Sequence, residues 1–271
     1  MSTTPPPSPP VTEEGANKKF KRPKVICFDM HGTATKWSFS HKVLIPYLKK
    51  FCRYYAESNY DNPECQELIE KLRRGQPNTG GPVIPPKSAS KEEVCDAVEK
   101  YVNYCTENFL ESEGYITFRF AVWFDGFKEG RITTPMYSDV AIQIQKWRCD
   151  HRMKLFVVSN GWSVATKHFL QHTSHGDLTS LIEGFYDSQS LGELNRESTF
   201  RNLLNAIGQK AEDVAFLTKN PDAVKAARAV GINGILVVSH RKNLDKIEDE
   251  DIQSLPIIRS FNELEFEQAT A

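Results

Sequence analysis

Asp29 closes an apolar run, Val25-Ile26-Cys27-Phe28, and is followed by Met30-His31-Gly32-Thr33. A carboxylate at the carboxyl end of a buried strand can attack phosphorus and form an aspartyl-phosphate, which divides one difficult displacement into two easier ones. Backbone N–H groups in the turn behind it can hold phosphate oxygens. The plain alternative is a strand-end Asp that caps a turn. A second strand end supplies the complement. Leu155-Phe156-Val157-Val158 runs into Ser159-Asn160-Gly161, which offers a hydroxyl and backbone amides as a cradle for a phosphate oxygen. Ser163, close behind, reads as an ordinary helix cap.

These residues need a frame. Val25–Phe28, Leu155–Val158, Val214–Leu217 and Ile235–Val238 are short, continuous apolar runs bounded by polar or turn residues. Continuous rather than alternating hydrophobicity marks strands buried on both faces, hence a parallel sheet covered by helices. Val164–Gln171, Thr199–Ile207 and Asp222–Val230 fit the crossover helices, with Gly208 and Gly231 at their C-caps. Pro256-Ile257-Ile258 adds a short last strand. Between the first two strands the character changes. Val43–Ala56, Pro63–Arg73, Glu92–Leu110 and Tyr137–Arg148 read as amphipathic helices, and Gly75–Pro86 as a Gly/Pro-rich break. This stretch is too long for a crossover. The expected fold class is therefore α/β, a Rossmann-like parallel-sheet core (23–38 and 150–265) with an inserted all-helical cap (39–149). Residues 1–22 form a Pro-rich disordered tail and 266–271 a short second tail. An insert after the first strand lies over the carboxyl ends of the strands, where ligands bind in open α/β sheets.

Composition narrows the function. A net charge of −1 over 271 residues provides no field for nucleic acid or an anionic membrane. No apolar stretch reaches the roughly 18–20 residues of a membrane helix, and no secretory leader is visible. The expected setting is the cytoplasm. The basic run Lys18, Lys19, Lys21, Arg22 and Lys24 reads either as a nuclear address or as a solvated lead-in to the first strand. Six cysteines without a C-x-x-C pair read as buried free thiols. His168 and His172 have the i, i+4 spacing of zinc ligands, but no Glu completes a site with His175. Tyr115–Phe127 is an aromatic stretch at helical spacing, expected in the cap core with one or two rings facing the cleft. Asp245–Asp251 is an acidic, solvated face.

The order of motifs resembles the enolase-phosphatase (acireductone synthase) family of the haloacid dehalogenase superfamily over roughly residues 24–265. That family shows D-x-E-G-T, F-P-Y, S-S-G-S, H-S-T-x-G-D, G-x-K-x-E-S and F-L-[ST]-D. The matching stretches are Asp29–Thr33, Ile45-Pro46-Tyr47, Ser159–Ser163, His172–Asp177, Gly192–Ser198 and Phe216-Leu217-Thr218-Lys219. Trp123, Gly130-Arg131 and Trp147 also resemble family positions. The resemblance implies a monomeric enzyme of methionine salvage that hydrolyses 2,3-diketo-5-methylthiopentyl 1-phosphate through an aspartyl nucleophile with Mg²⁺. Asp29 would be nucleophile and metal ligand, and Ser159, Asn160 and Gly161 phosphate binders. From its own chemistry His31 could act as acid/base, and Arg196 could either reach the phosphate or face solvent.

Three positions depart from the pattern. His31 stands where the family has Glu, Leu194 where it has the loop Lys, and Lys219 where it has the metal Asp. An imidazole can still move protons. Leucine cannot hold a phosphate, and an ammonium cannot ligate Mg²⁺. Asp222 is near in sequence but is expected to open the next helix. With Asp29, neutral His31 and Lys219, the site sums to zero charge without a metal, and Lys219 is expected to pair with Asp29 in the cation's place. Two functions follow: a phosphatase impaired by these losses, or an inactive relative that binds a phosphorylated ligand or a protein partner.

Overall fold

A computed structural model of the chain describes residues 20–239 and 247–266. The Pro-rich tail before Phe20, the start of the basic run, the first two residues of the acidic run and the last five residues lie outside the described residues.

Five short runs and one unexpected one build a single parallel sheet. These are β1 (Val25–Phe28), β2 (Lys154–Ser159), β3 (Gly184–Asp187), β4 (Val214–Thr218), β5 (Asn233–Val237) and β6 (Ile257–Ile258), in the order β3-β2-β1-β4-β5-β6. All five pairings are parallel. β1 shows why the runs are continuous. Ile26 and Phe28 enter one apolar cluster and Val25 and Cys27 the other, so both faces are covered. β3 has the sequence Gly-Phe-Tyr-Asp and is only half-buried until Asp187, which left no apolar run to find.

Four crossover helices flank the later strands: α6 (Ser163–Gln171), the one-turn α7 (Ser188–Leu191), α8 (Glu197–Ile207) and α9 (Pro221–Ala229). Gly208 ends α8 in the left-handed conformation at φ 62°. Pro221 starts α9 at a position whose N–H would be unsatisfied anyway, and Asn220 accepts the Asp222 N–H at 3.0 Å. A short α10 (Asp249–Ser254) precedes β6.

The insert opens with a π-helical turn, Ser40–Leu44, that runs directly into α1 (Ile45–Ser58). It continues as α2 (Pro63–Thr79), α3 (Lys91–Glu107) and α4 (Glu113–Lys128). Their apolar faces form one cluster from Phe39 to Ile132. The expected break at Gly75 is not a break. α2 runs on through Gly75 and Pro77 and stops at Gly80, φ 70°, whose N–H returns to Gln76 O. Gln76 then ties the following loop by donating to Pro82 O and accepting from Ile84 N–H. Packing against α4 overrides the local breakers.

The last expected cap helix, α5 (Ser138–Cys149), lies on the sheet instead. Val140, Ala141, Ile144 and Trp147 share a cluster with Ile26, Phe28 and Leu155, and Trp147 stacks on Phe261 at 5.4 Å. An amphipathic pattern shows that a helix has an apolar face, not which lobe receives it. Among the described residues no helix is long and apolar enough to cross a membrane.

Candidate active site

The chain runs from β1 outward to β2 and β3, then returns to β4 on the other side of β1. Ligands bind outside the carboxyl ends of strands at such a reversal. The register Phe28↔Leu217 sets Asp29 and Thr218 side by side at that end. A cleft of about 360 Å³ opens above them, walled on the cap side by Phe39, Leu44, Phe120 and Trp123, and on the core side by Ser159–Trp162, Leu194, Lys219 and Asn220.

Asp29 is buried at the cleft floor, its N–H bonded to Leu217 O at 2.9 Å. Burial pushes its carboxyl above the usual carboxylate range, against the Ser159 hydroxyl, the Lys219 ammonium and the backbone of Met30 and His31, all of which favour the charged form. The turn behind it folds on Met30 O, which accepts from the N–H groups of Ala34 and Thr35 and from Thr35 Oγ1. Gly32 takes φ 75° to close this turn.

His31 is half-buried against Trp37, with ring centroids 5.0 Å apart. Burial, with Lys219 and His41 nearby, pushes it down to about 4. The imidazole is therefore neutral near pH 7. A value this low leaves the ring a weak base near pH 7 and leaves little of the protonated form to donate.

Lys219 follows β4 directly. Its backbone N–H donates to Thr33 Oγ1 at 3.0 Å, tying the β4 loop to the β1 loop. Its ammonium stands 3.3 Å from the Trp37 ring centroid and its charge acts on Asp29. The Lys219 side chain thus lines the cleft, seated on an indole, and its charge favours the ionised form of Asp29.

The phosphate-binding expectations divide. Ser159 Oγ accepts Gly161 N–H at 3.3 Å and favours the charged form of Asp29, whose Oδ2 accepts from Thr218 Oγ1 at 3.5 Å. Asn160 lines the cleft, but its Oδ1 accepts Leu194 N–H at 3.2 Å, so the amide holds the loop together. Leu194 is buried and presents methyl groups to the cleft. Arg196 does not reach in. It precedes α8, its side chain is 70% exposed, and it faces Glu193 at 3.9 Å. An extended residue that opens a surface helix points outward, which removes it from the phosphate site. Asp222 lies exposed in the first turn of α9, as expected.

Two residues missed in the sequence shape the site. Asp187, at the end of β3, accepts the Ser163 N–H at 2.9 Å and the Ser190 N–H at 2.9 Å. Burial pushes its carboxyl up, but hydrogen bonds from Ser163 and Ser190 outweigh this and hold it below the usual range. It is Asp187 that caps α6, not Ser163. Trp37 is the second, and only its neighbours in space show its use. The three histidines form no metal site. His168 stacks on Phe124 at 4.0 Å, and no cluster of three His, Cys, Asp or Glu occurs among the described residues. All six cysteines are free, five of them buried.

The donor set does not fit Mg²⁺. Asp29 is the one carboxylate among the described residues lining the cleft, and an ammonium stands beside it. A hard divalent cation needs several oxygen ligands and is repelled by that charge.

Comparison with known proteins agrees with this architecture. No family model matches the chain. Proteins named enolase-phosphatase E1 are similar to it: one from Aquifex aeolicus is 28% identical over 89% of this chain and 99% of its own length, and one from Danio rerio 26% identical over 89% and 94%. The crystal structure of UTR4 protein from Saccharomyces cerevisiae superposes with a TM-score of 0.70 at 21% identity, covering 89% of this chain and 99% of that one. Magnesium-bound YfnB of Bacillus subtilis gives 0.52 at 15%, covering 90% and 97%. These likenesses show the fold, a parallel-sheet core of haloacid dehalogenase type with a helical cap. In sequence the chain is similar to the enolase-phosphatases, at 27–28% identity over most of its length, with substituted catalytic motifs.

Proposed function

We propose that the cleft binds a small phosphorylated metabolite and that phosphate hydrolysis through Asp29 is impaired relative to the enolase-phosphatases. The names of the similar proteins support a phosphatase-type role in methionine salvage, with 2,3-diketo-5-methylthiopentyl 1-phosphate as the finer assignment. The apolar walls, Phe39, Leu44, Phe120 and Phe169, suit a metabolite with an uncharged chain.

The observation that carries this reading is the Lys219 ammonium, 3.3 Å over Trp37 and acting on Asp29. In the aspartyl route, Asp29 Oδ attacks phosphorus, the bond to the leaving oxygen breaks, and that oxygen needs a proton. An adjacent ammonium stabilises the carboxylate before reaction and makes it a weaker nucleophile. Neutral His31 is a poor source of the proton. Leu194 supplies no charge to the phosphate. Binding is supported by what remains: Lys219, the backbone of the Asp29–Thr33 turn and the Ser159 hydroxyl. The same substitutions favour a second reading, an inactive relative that only binds its ligand or a partner.

Hydrolysis of phenyl phosphate separates the two. Slow turnover by the wild type that disappears in Asp29→Asn establishes the impaired enzyme. No wild-type turnover, with Mg²⁺-dependent turnover gained by Lys219→Asp combined with Leu194→Lys, establishes the inactive relative. Turnover at rates typical of enzymes, about 1–1000 s⁻¹, would overturn both.

A further inference from the structure

We infer that Lys219 is a built-in cation, positioned by Trp37, that binds the anionic head of the ligand without a divalent metal. This rests on the cleft reading above and adds how the anion is held.

The seat is constructed from both loops. The Lys219 backbone is pinned by its N–H bond to Thr33 Oγ1, and the next residue by the bond from Asn220 N–H to Thr218 Oγ1 at 3.2 Å. From that anchored point the side chain passes over Gly32. A Cβ on Gly32 would lie 2.8 Å from Lys219 Cδ, 3.0 Å from Trp37 Cε3 and 3.2 Å from Lys219 Nζ. Only a glycine leaves this channel open. The stem ends with Nζ 3.3 Å from the Trp37 centroid, the geometry in which an indole face attracts an ammonium. Trp37 is 43% exposed, so it forms a surface platform under the ammonium rather than part of a core.

Charge leads to the same assignment. Among the described residues lining the cleft, Lys219 is the single lysine or arginine and Asp29 the single acid. The charge that opposes a divalent cation at Asp29 is the same charge that favours an anion. An ammonium carries three donors, enough to serve both a carboxylate and an incoming phosphate oxygen. A flexible stem that shifts by a small amount can follow the anion, so Trp37 is a positioning residue.

Calorimetry and indole fluorescence with inorganic phosphate and with phenyl phosphate test this, in EDTA and in millimolar Mg²⁺. The expected result is binding in EDTA, with Kd changing less than about 2-fold on adding Mg²⁺. Lys219→Met weakens binding by at least about 10-fold, the loss of one charge-assisted hydrogen bond. Trp37→Leu weakens it about 3- to 10-fold and abolishes the fluorescence change, and Trp37→Phe restores the affinity, since a ring face is what the ammonium needs. Phosphate binding that appears only with Mg²⁺ overturns the inference. So does Lys219→Met binding within about 2-fold of wild type, or an unchanged Kd in Trp37→Leu. Each of these leaves the cleft reading intact. If Lys219→Met does not fold, the metal arms on the wild type and the Trp37 pair still decide. No binding of either phosphate under any condition removes the cleft reading, and this inference with it.

Discussion

The loops that leave β1 and β4 stand side by side at one end of the sheet, and they have diverged differently. The β1 loop retains the acid, the left-handed glycine and the hydroxyl: Asp29, Gly32 and Thr33. The β4 loop retains its backbone path, with Thr218 accepting from Asn220 N–H and Asn220 capping α9, yet it carries an ammonium where the resemblance calls for a carboxylate. Geometry here is held by backbone hydrogen bonds and by a position without Cβ. Those are indifferent to the charge on one side chain. The two loops can therefore keep their form while the sign of the charge acting on Asp29 changes.

The largest test of this coupling is Gly32→Ala. A left-handed non-glycine costs about 1–2 kcal/mol, and the methyl must displace Lys219 and Trp37, which adds about 1–3 kcal/mol of overpacking. Urea unfolding should report a loss of about 2–4 kcal/mol, together with altered Trp37 fluorescence. A loss below about 1 kcal/mol would mean the β1 loop does not constrain the β4 lysine.

Next is Thr33→Val, which keeps shape and removes the acceptor for Lys219 N–H. A buried donor left unsatisfied costs about 1–3 kcal/mol. Denaturation showing no change would separate the two loops.

Titration of stability isolates His31. Its folded value, pushed down to about 4, lies below the ordinary 6.5. Between these, the unfolded chain binds the proton and the folded chain does not, so this residue's contribution falls as pH drops from about 6.5 to about 4 and is flat above and below. His31→Gln should therefore gain on the wild type by about 1 kcal/mol near pH 4, a value reduced for the ring's partial exposure to solvent. Parallel stability curves for the two proteins across that range would refute a buried neutral imidazole.

Arg196→Ala should do least. An exposed residue paired loosely with Glu193 changes stability by less than about 0.5 kcal/mol and leaves phosphate affinity unchanged. A 10-fold weaker Kd would return Arg196 to the phosphate site.

Much of the frame was legible because burial on both faces writes continuous apolar runs, and four of the six strands were expected from them, with β6 read from a shorter one. β3 was not, since an edge strand with half-exposed Phe185 and Tyr186 carries no such run. Asp29 and Ser159 were legible as strand-end residues and do line the same cleft. Asp187 and Trp37 were not, because each acts on residues distant in the chain. The helix α2 outran its Gly75 and Pro77 breakers because the cap packs it against α4, a contact with no local signal.

Residue types and their order alone determined the α/β class, the strand-end position of Asp29 and the residues that stand at positions 31, 194 and 219. Those are statements about period, patterning and chemical identity, which a linear chain carries. Tertiary structure decided that α5 belongs to the sheet, that Arg196 faces water, that His31 is held neutral and that Lys219 rests on Trp37. Each depends on which surfaces exclude solvent and which side chains meet across β1 and β4, and burial and proximity exist only once the strands have paired.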